Sequence, residues 1–101
     1  MAHPDYLLRG SDGPVTALAY FRPPGEAPRR WLLSGSLVGT AFVWDLRVRH
    51  VLCKVRAHSN SVLAILCVIG SDVVLTQGKD GFVHRWRVDC SSIEWIKLGK
   101  R

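Results

Sequence analysis

The chain has 101 residues, of which 48% are hydrophobic and 22% charged, and fourteen Lys and Arg against eight Asp and Glu give a formal charge of +6. So apolar a mixture excludes a low-complexity disordered chain, and no apolar stretch reaches the ~18 residues of a membrane helix. The bases stand in short groups such as Arg29-Arg30 and Arg85/Arg87 with no run of five, the pattern of an ordinary solvated face rather than a nucleic-acid arm.

In chain order the first element is a turn at 10–14, Gly-Ser-Asp-Gly-Pro, followed by a strand near 15–20. Residues 21–30 read FRPPGEAPRR. Three prolines and a glycine make this a surface loop, because proline cannot donate to a strand ladder. Strands are predicted near 31–35 and 40–45, and a further strand at 52–56 links the two halves. After the turn Ser59-Asn60-Ser61 comes a strand over 62–69, then strands near 73–77 and 82–88 separated by Lys79-Asp80-Gly81. Within the tail at 91–101, Ile93-Glu94-Trp95-Ile96 reads as the start of one more strand. No helical period of useful length occurs, so the fold class is all-β.

The halves repeat. Leu32-Leu33-Ser34-Gly35-Ser36 and Val43-Trp44-Asp45 in the first correspond to Val74-Leu75-Thr76-Gln77-Gly78 and Arg85-Trp86-Arg87 in the second. Trp44 and Trp86 lie 42 residues apart, inside the ~40–45-residue period of one propeller blade. The front halves are offset by 47, and the five extra residues of the first copy fall in the proline-rich loop, where added length costs little entropy.

Ser34-Gly35-Ser36 followed by Trp44-Asp45 resembles the signature of the WD40 repeat family. The resemblance implies two antiparallel four-stranded blades of an incomplete β-propeller, with repeats at 7–50 and 51–90. It also implies a structural tetrad, for which the second copy has His58, Thr76, Asp80 and Trp86. A buried imidazole and a buried carboxylate need hydrogen-bond partners, and such a chain supplies them in turn. The first copy offers Ser11, Ser34, Val38 and Trp44, without the His and the Asp, so the first blade is expected to be the looser one. Arg87 stands in place of the WD aspartate, and Arg85 in place of Val43; a buried arginine is costly unless paired. The order of short motifs, Leu8-Arg9-Gly10, Leu32 to Ser36 and Leu75 to Asp80, is similar to the guanine nucleotide-binding protein subunit β-like and ASTRA-associated protein 1 group. That narrower resemblance implies a seven-bladed adaptor in the assembly of kinases related to phosphatidylinositol 3-kinase, or in a chromatin-linked complex.

Sharper chemistry is weaker. His58, Asp80 and Thr76 have the residue types of a hydrolytic triad, but neither a GxSxG elbow nor a GxxxxGK[ST] phosphate loop is present. No enzyme activity and no cofactor are expected. The histidines and cysteines lack zinc-site spacing, so no metal is expected. Three cysteines, an odd count, no CxxC pair and no secretory leader favour the cytoplasm or nucleus. The expected partners are other proteins in a multi-protein complex, met through the loop carrying Arg22, Arg29 and Arg30 and the turn at 10–13; no membrane is involved. The alternative is a basic RNA- or DNA-binding module, with Trp95, the one tryptophan outside the repeat, as a stacking platform beside Lys97. Two repeats fall short of the ~4–8 blades of a propeller. The chain is therefore read as a fragment of a longer one, with a short isoform or self-assembly as the competing explanations.

Overall fold

The computed structural model describes residues 12–21 and 31–99. These form eight strands: β1 (Val15–Phe21), β2 (Trp31–Ser36), β3 (Thr40–Asp45), β4 (His50–Arg56), β5 (Val62–Cys67), β6 (Val73–Gly78), β7 (Val83–Asp89) and β8 (Glu94–Leu98). They make two four-stranded sheets, β1-β2-β3-β4 and β5-β6-β7-β8, each strand antiparallel to the one before it.

The sheets divide the chain differently from repeats at 7–50 and 51–90. The strand foreseen as a link is β4, which pairs with β3 from Thr40↔Arg56 to Asp45↔His50 and closes the first sheet. The tail is β8, which pairs with β7 from Arg85↔Leu98 to Asp89↔Glu94 and closes the second. A sequence period fixes the length of a unit but not its starting point; here two tight turns decide it. Asp45 and Asp89 each accept a backbone N–H two residues on, from Arg47 at 2.9 Å and Ser91 at 2.8 Å. Such Asx geometry starts a turn. The fourth residue after each aspartate, Arg49 and Ile93, takes a left-handed φ, at 60° and 54°. Asp89 thus does in the second hairpin what Asp45 does in the first, two positions beyond the place that Arg87 occupies.

The strand foreseen over 62–69 ends at Cys67. Val68 and Ile69 belong to a turn, where the Ser71 N–H donates to the Val68 carbonyl and Ile69 is 99% exposed. The apolar run is longer than the sheet needs.

One face of the first sheet packs on one face of the second. Phe21, Trp31, Leu33, Ala41 and Val43 meet Val62, Ile65, Val74, Trp86, Val88 and Trp95 in a single core. Each large apolar side chain so buried contributes on the order of 1.5–3 kcal/mol. On its other face the first sheet buries Leu32, Phe42 and Trp44. With both faces covered, β2 is buried along its whole length and β3 along all but its last residue. The first blade, expected to be the looser one, thus has its two middle strands buried on both faces.

The second sheet is covered on one face only. Along β6 the burial alternates, with Val74 and Thr76 inward. On the outward face Leu66 is 61% and Val83 64% exposed, and Arg85, paired across the sheet with Leu75 and Leu98, is also exposed. Arg85 therefore bears no burial cost. It lies at the position equivalent to Val43, on the face equivalent to the one that the second sheet covers on the first.

Candidate functional site

His58 sits in the connection between the sheets, and its position is set by the first blade. The Gly39 carbonyl, in the β2–β3 turn, accepts the N–H groups of Ala57 at 2.9 Å and His58 at 3.0 Å. Arg56 Nε donates to the His58 carbonyl at 3.1 Å. The imidazole then points into the second sheet.

There the four residues of the second copy meet. His58 Nδ1 lies 3.1 and 3.2 Å from the two Asp80 oxygens, and Nε2 lies 2.9 Å from Thr76 Oγ1. Trp86 Nε1 donates to the same Thr76 oxygen at 2.9 Å. A ring proton on Nδ1 satisfies the chain throughout: Trp86 donates to Thr76, Thr76 to His58, and His58 to Asp80. Asp80 also accepts the N–H groups of Ser59 at 3.0 Å and Phe82 at 3.1 Å. Partial desolvation raises the Asp80 pKa, but these two donors and the His58 ring outweigh it and hold the carboxyl below its ordinary value. Gly78 lies beneath the ring; a Cβ there would overlap His58 Nδ1 and Cγ.

As hydrolytic machinery the group fails on access. Thr76 is fully buried, and its hydroxyl oxygen is occupied by the Trp86 indole. Chemistry on a substrate needs the nucleophile at a surface.

In the first blade Trp44 Nε1 donates to Ser34 Oγ at 2.7 Å. Ser36 Oγ accepts the Thr40 N–H at 3.1 Å, and the Thr40 hydroxyl donates to Asp12 at 2.5 Å. Partial desolvation raises the Asp12 pKa, but its bonds to Thr40 and Ser36 outweigh it and lower the pKa. An acid is thus present in this blade after all, supplied by the turn before β1. Sequence alignment of the copies missed it because Asp12 comes from a different turn than Asp80. A second missed contact joins the blades directly: Thr16 Oγ1 lies 2.6 Å from the Val62 carbonyl and 3.2 Å from that of Gly35. A Cβ on Gly35 would overlap the Val62 side chain, so the second residue of the Ser-Gly-Ser signature permits a close approach of the two sheets.

Arg22, Arg29 and Arg30, and the turn at 10–13 up to residue 11, lie outside the described residues. Trp95 does not serve as a stacking platform. It is 9% exposed and stands edge-on to Trp86, with centroids 5.8 Å apart at 85°. The apolar side of β8 faces inward, which the short tail motif did not reveal. Arg87 is spanned by Asp72 at 3.9 Å and Asp89 at 3.6 Å. Among the described residues no cluster of His, Cys, Asp and Glu suits a metal ion.

No family model matches the chain. It is 33% identical over 86 residues to ASTRA-associated protein 1 of Yarrowia lipolytica, covering 85% of this chain and 18% of that protein. It is 30% identical over 88 residues to guanine nucleotide-binding protein subunit beta-like protein 1 of Mus musculus, covering 85% and 27%. Among solved structures, the computationally designed Ika4 protein matches with a TM-score of 0.67 at 26% identity, over 87% of this chain and 48% of that one. The β-propeller domain of Myceliophteria thermophila Cps50 (Swd1) matches with a TM-score of 0.68 at 18% identity, over 82% and 27%. The chain is WD40-like. Its two sheets have the fold of two neighbouring propeller blades, and it spans about a fifth of the length of the curated relatives it matches.

Proposed function

We propose that this WD40-like chain supplies two blades of a non-catalytic β-propeller scaffold for protein–protein interaction. The observation that carries the reading is the outward face of the second sheet. Leu66, Leu75 and Val83 correspond to Ala19, Leu33 and Ala41 of the first sheet, which pack against the second sheet or in its shared core. A face that repeats a covered face and is itself open is built to be covered. A rigid frame of blades then leaves its loops for partners. The names of the relatives support an adaptor in a multi-protein complex. The finer reading is an ASTRA-like, chromatin-linked assembly, or the assembly of kinases related to phosphatidylinositol 3-kinase, in the cytoplasm or nucleus. The tetrad of His58, Thr76, Asp80 and Trp86 stabilises the frame, and Arg22, Arg29 and Arg30 are the residues proposed to meet the partner.

The test is affinity purification of the tagged protein, with quantitative mass spectrometry, beside an Arg22→Glu/Arg29→Glu/Arg30→Glu variant. The scaffold reading expects stoichiometric protein partners that nuclease leaves in place and the variant loses. Recovery of nucleic acid alone, with binding that falls steeply with salt, overturns it.

A further inference from the structure

The tetrad has an aromatic neighbour that the repeat pattern does not call for. His84, on β7, lies opposite Thr76 in the register and on the inward face. Its ring stacks on His58, with centroids 4.9 Å apart and planes at 19°. Phe82 stacks on its other side at 5.7 Å and 9°, and Trp86 meets its edge at 6.2 Å. The His84 imidazole is thus held between Phe82 and a histidine whose two nitrogens are already committed.

We propose that His84 is a proton-operated latch on the second blade. A proton taken up by His84 in mildly acidic solution sets a cation against the face of the His58 ring and releases the chain Asp80–His58–Thr76–Trp86. Stacked neutral imidazoles are compatible with the closed chain. An imidazolium is desolvated between two rings, and the carboxylate that favours it, Asp80, is shared with His58, Ser59 and Phe82. Of the other charged groups, Lys97 on β8, which pairs with Trp86, opposes the proton; Arg56 on β4 bonds the His58 carbonyl.

The direction of the His84 pKa agrees with the geometry. Desolvation, then Lys97 and His58, lower the His84 pKa from its ordinary 6.5, against a smaller opposing effect of Asp80. A depressed folded-state value means that the unfolded chain binds the proton more readily. The stability is therefore complete above the ordinary histidine value and is lost as pH falls through the folded value. Carboxylate protonation belongs to a lower range, around pH 4.

Hydrogen exchange of the indole N–H groups in the full chain reads the latch directly. Trp86 donates to Thr76, inside the stack's reach; Trp44 donates to Ser34 on the far face of the first sheet and is the internal control. Between about pH 7.5 and about pH 5.5, the protection of the Trp86 indole, taken relative to a free indole at each pH, is expected to fall several-fold while that of Trp44 stays level. His84→Phe keeps a ring between Phe82 and His58 and is expected to abolish the fall. Lys97→Met, at an exposed position on the edge strand β8, is expected to move the midpoint to higher pH and provides the test if His84→Phe does not fold. A level Trp86 response, a parallel fall at Trp44, a fall that persists in His84→Phe, or a midpoint unmoved in Lys97→Met overturns the proposal.

Discussion

The carbonyl of Gly39 in the first blade holds the backbone N–H of His58, whose ring organises the second. The link is one hydrogen bond of 3.0 Å, with a companion at 2.9 Å to Ala57, and it makes the two blades interdependent. Gly39 has φ at +99°, and a Cβ there would overlap the His58 carbonyl. Gly39→Ala is expected to cost about 2–3 kcal/mol from backbone strain alone, with a further loss from the displaced connection. Urea denaturation read at Trp86 should show the midpoint fall even though the substitution lies in the other sheet. A midpoint unchanged at the second blade would show that the blades fold independently.

Thr76 accepts from Trp86 and bonds His58, whereas among the described residues the Ser34 hydroxyl is bonded by Trp44. Thr76→Val preserves shape but strands two buried polar groups, each worth roughly 1–3 kcal/mol. Ser34→Ala strands one. Equilibrium unfolding should therefore place Thr76→Val as the more destabilised of the two. The reverse order would mean that the His58–Thr76 bond adds nothing.

Three carboxyls, Asp12, Asp80 and Asp89, have pKa values lowered from the ordinary 3.8. For Asp89 the N–H groups of Ser92 and Ser91 are the main cause. A lowered folded value means stability that is present above the ordinary carboxylate value and lost as pH falls through the folded one. Thermal melting points, already lowered through the histidine range, should fall again below about pH 4 as these carboxyls take up protons. Asp89→Asn retains an acceptor without the charge, so its melting point should fall less steeply in acid; an identical slope would remove Asp89 from the account.

Burial pushes the thiols of Cys53 and Cys67 up to about 11, with Glu94 adding to the effect at Cys53. The thiolate is the reacting species, so both should resist iodoacetamide at neutral pH in the folded protein and react on denaturation. Peptide mapping after brief alkylation checks this, and rapid labelling of either in the native state would contradict the packing described for β4 and β5.

Much of this was legible in the sequence, and the misses have physical causes. The 42-residue spacing of Trp44 and Trp86 carried the two-blade architecture, because one indole per blade needs a fixed place in the sheet. It did not show where each sheet begins, since the turns after Asp45 and Asp89 set that and Arg87 obscured the second. His58, Thr76, Asp80 and Trp86 could be paired by type and order. Asp12 could not, because it reaches the first blade from another turn. Trp95 looked free because a five-residue strand has too little alternation to reveal its inward side. The stack of His84 on His58 depends on cross-strand register, which the sequence does not display.

The proposed scaffold rests on the outward face of the second sheet being an unfilled blade-to-blade contact. Sedimentation velocity over a concentration series, with an apolar dye as a second readout, tests it on the 101-residue chain beside Leu66→Lys/Val83→Lys. Concentration-dependent association and dye binding are expected for the unaltered chain, both suppressed in the double variant while its β-sheet circular dichroism is retained. An unaltered chain that sediments as an 11.3 kDa monomer at every concentration, binds no dye and matches the variant would contradict it.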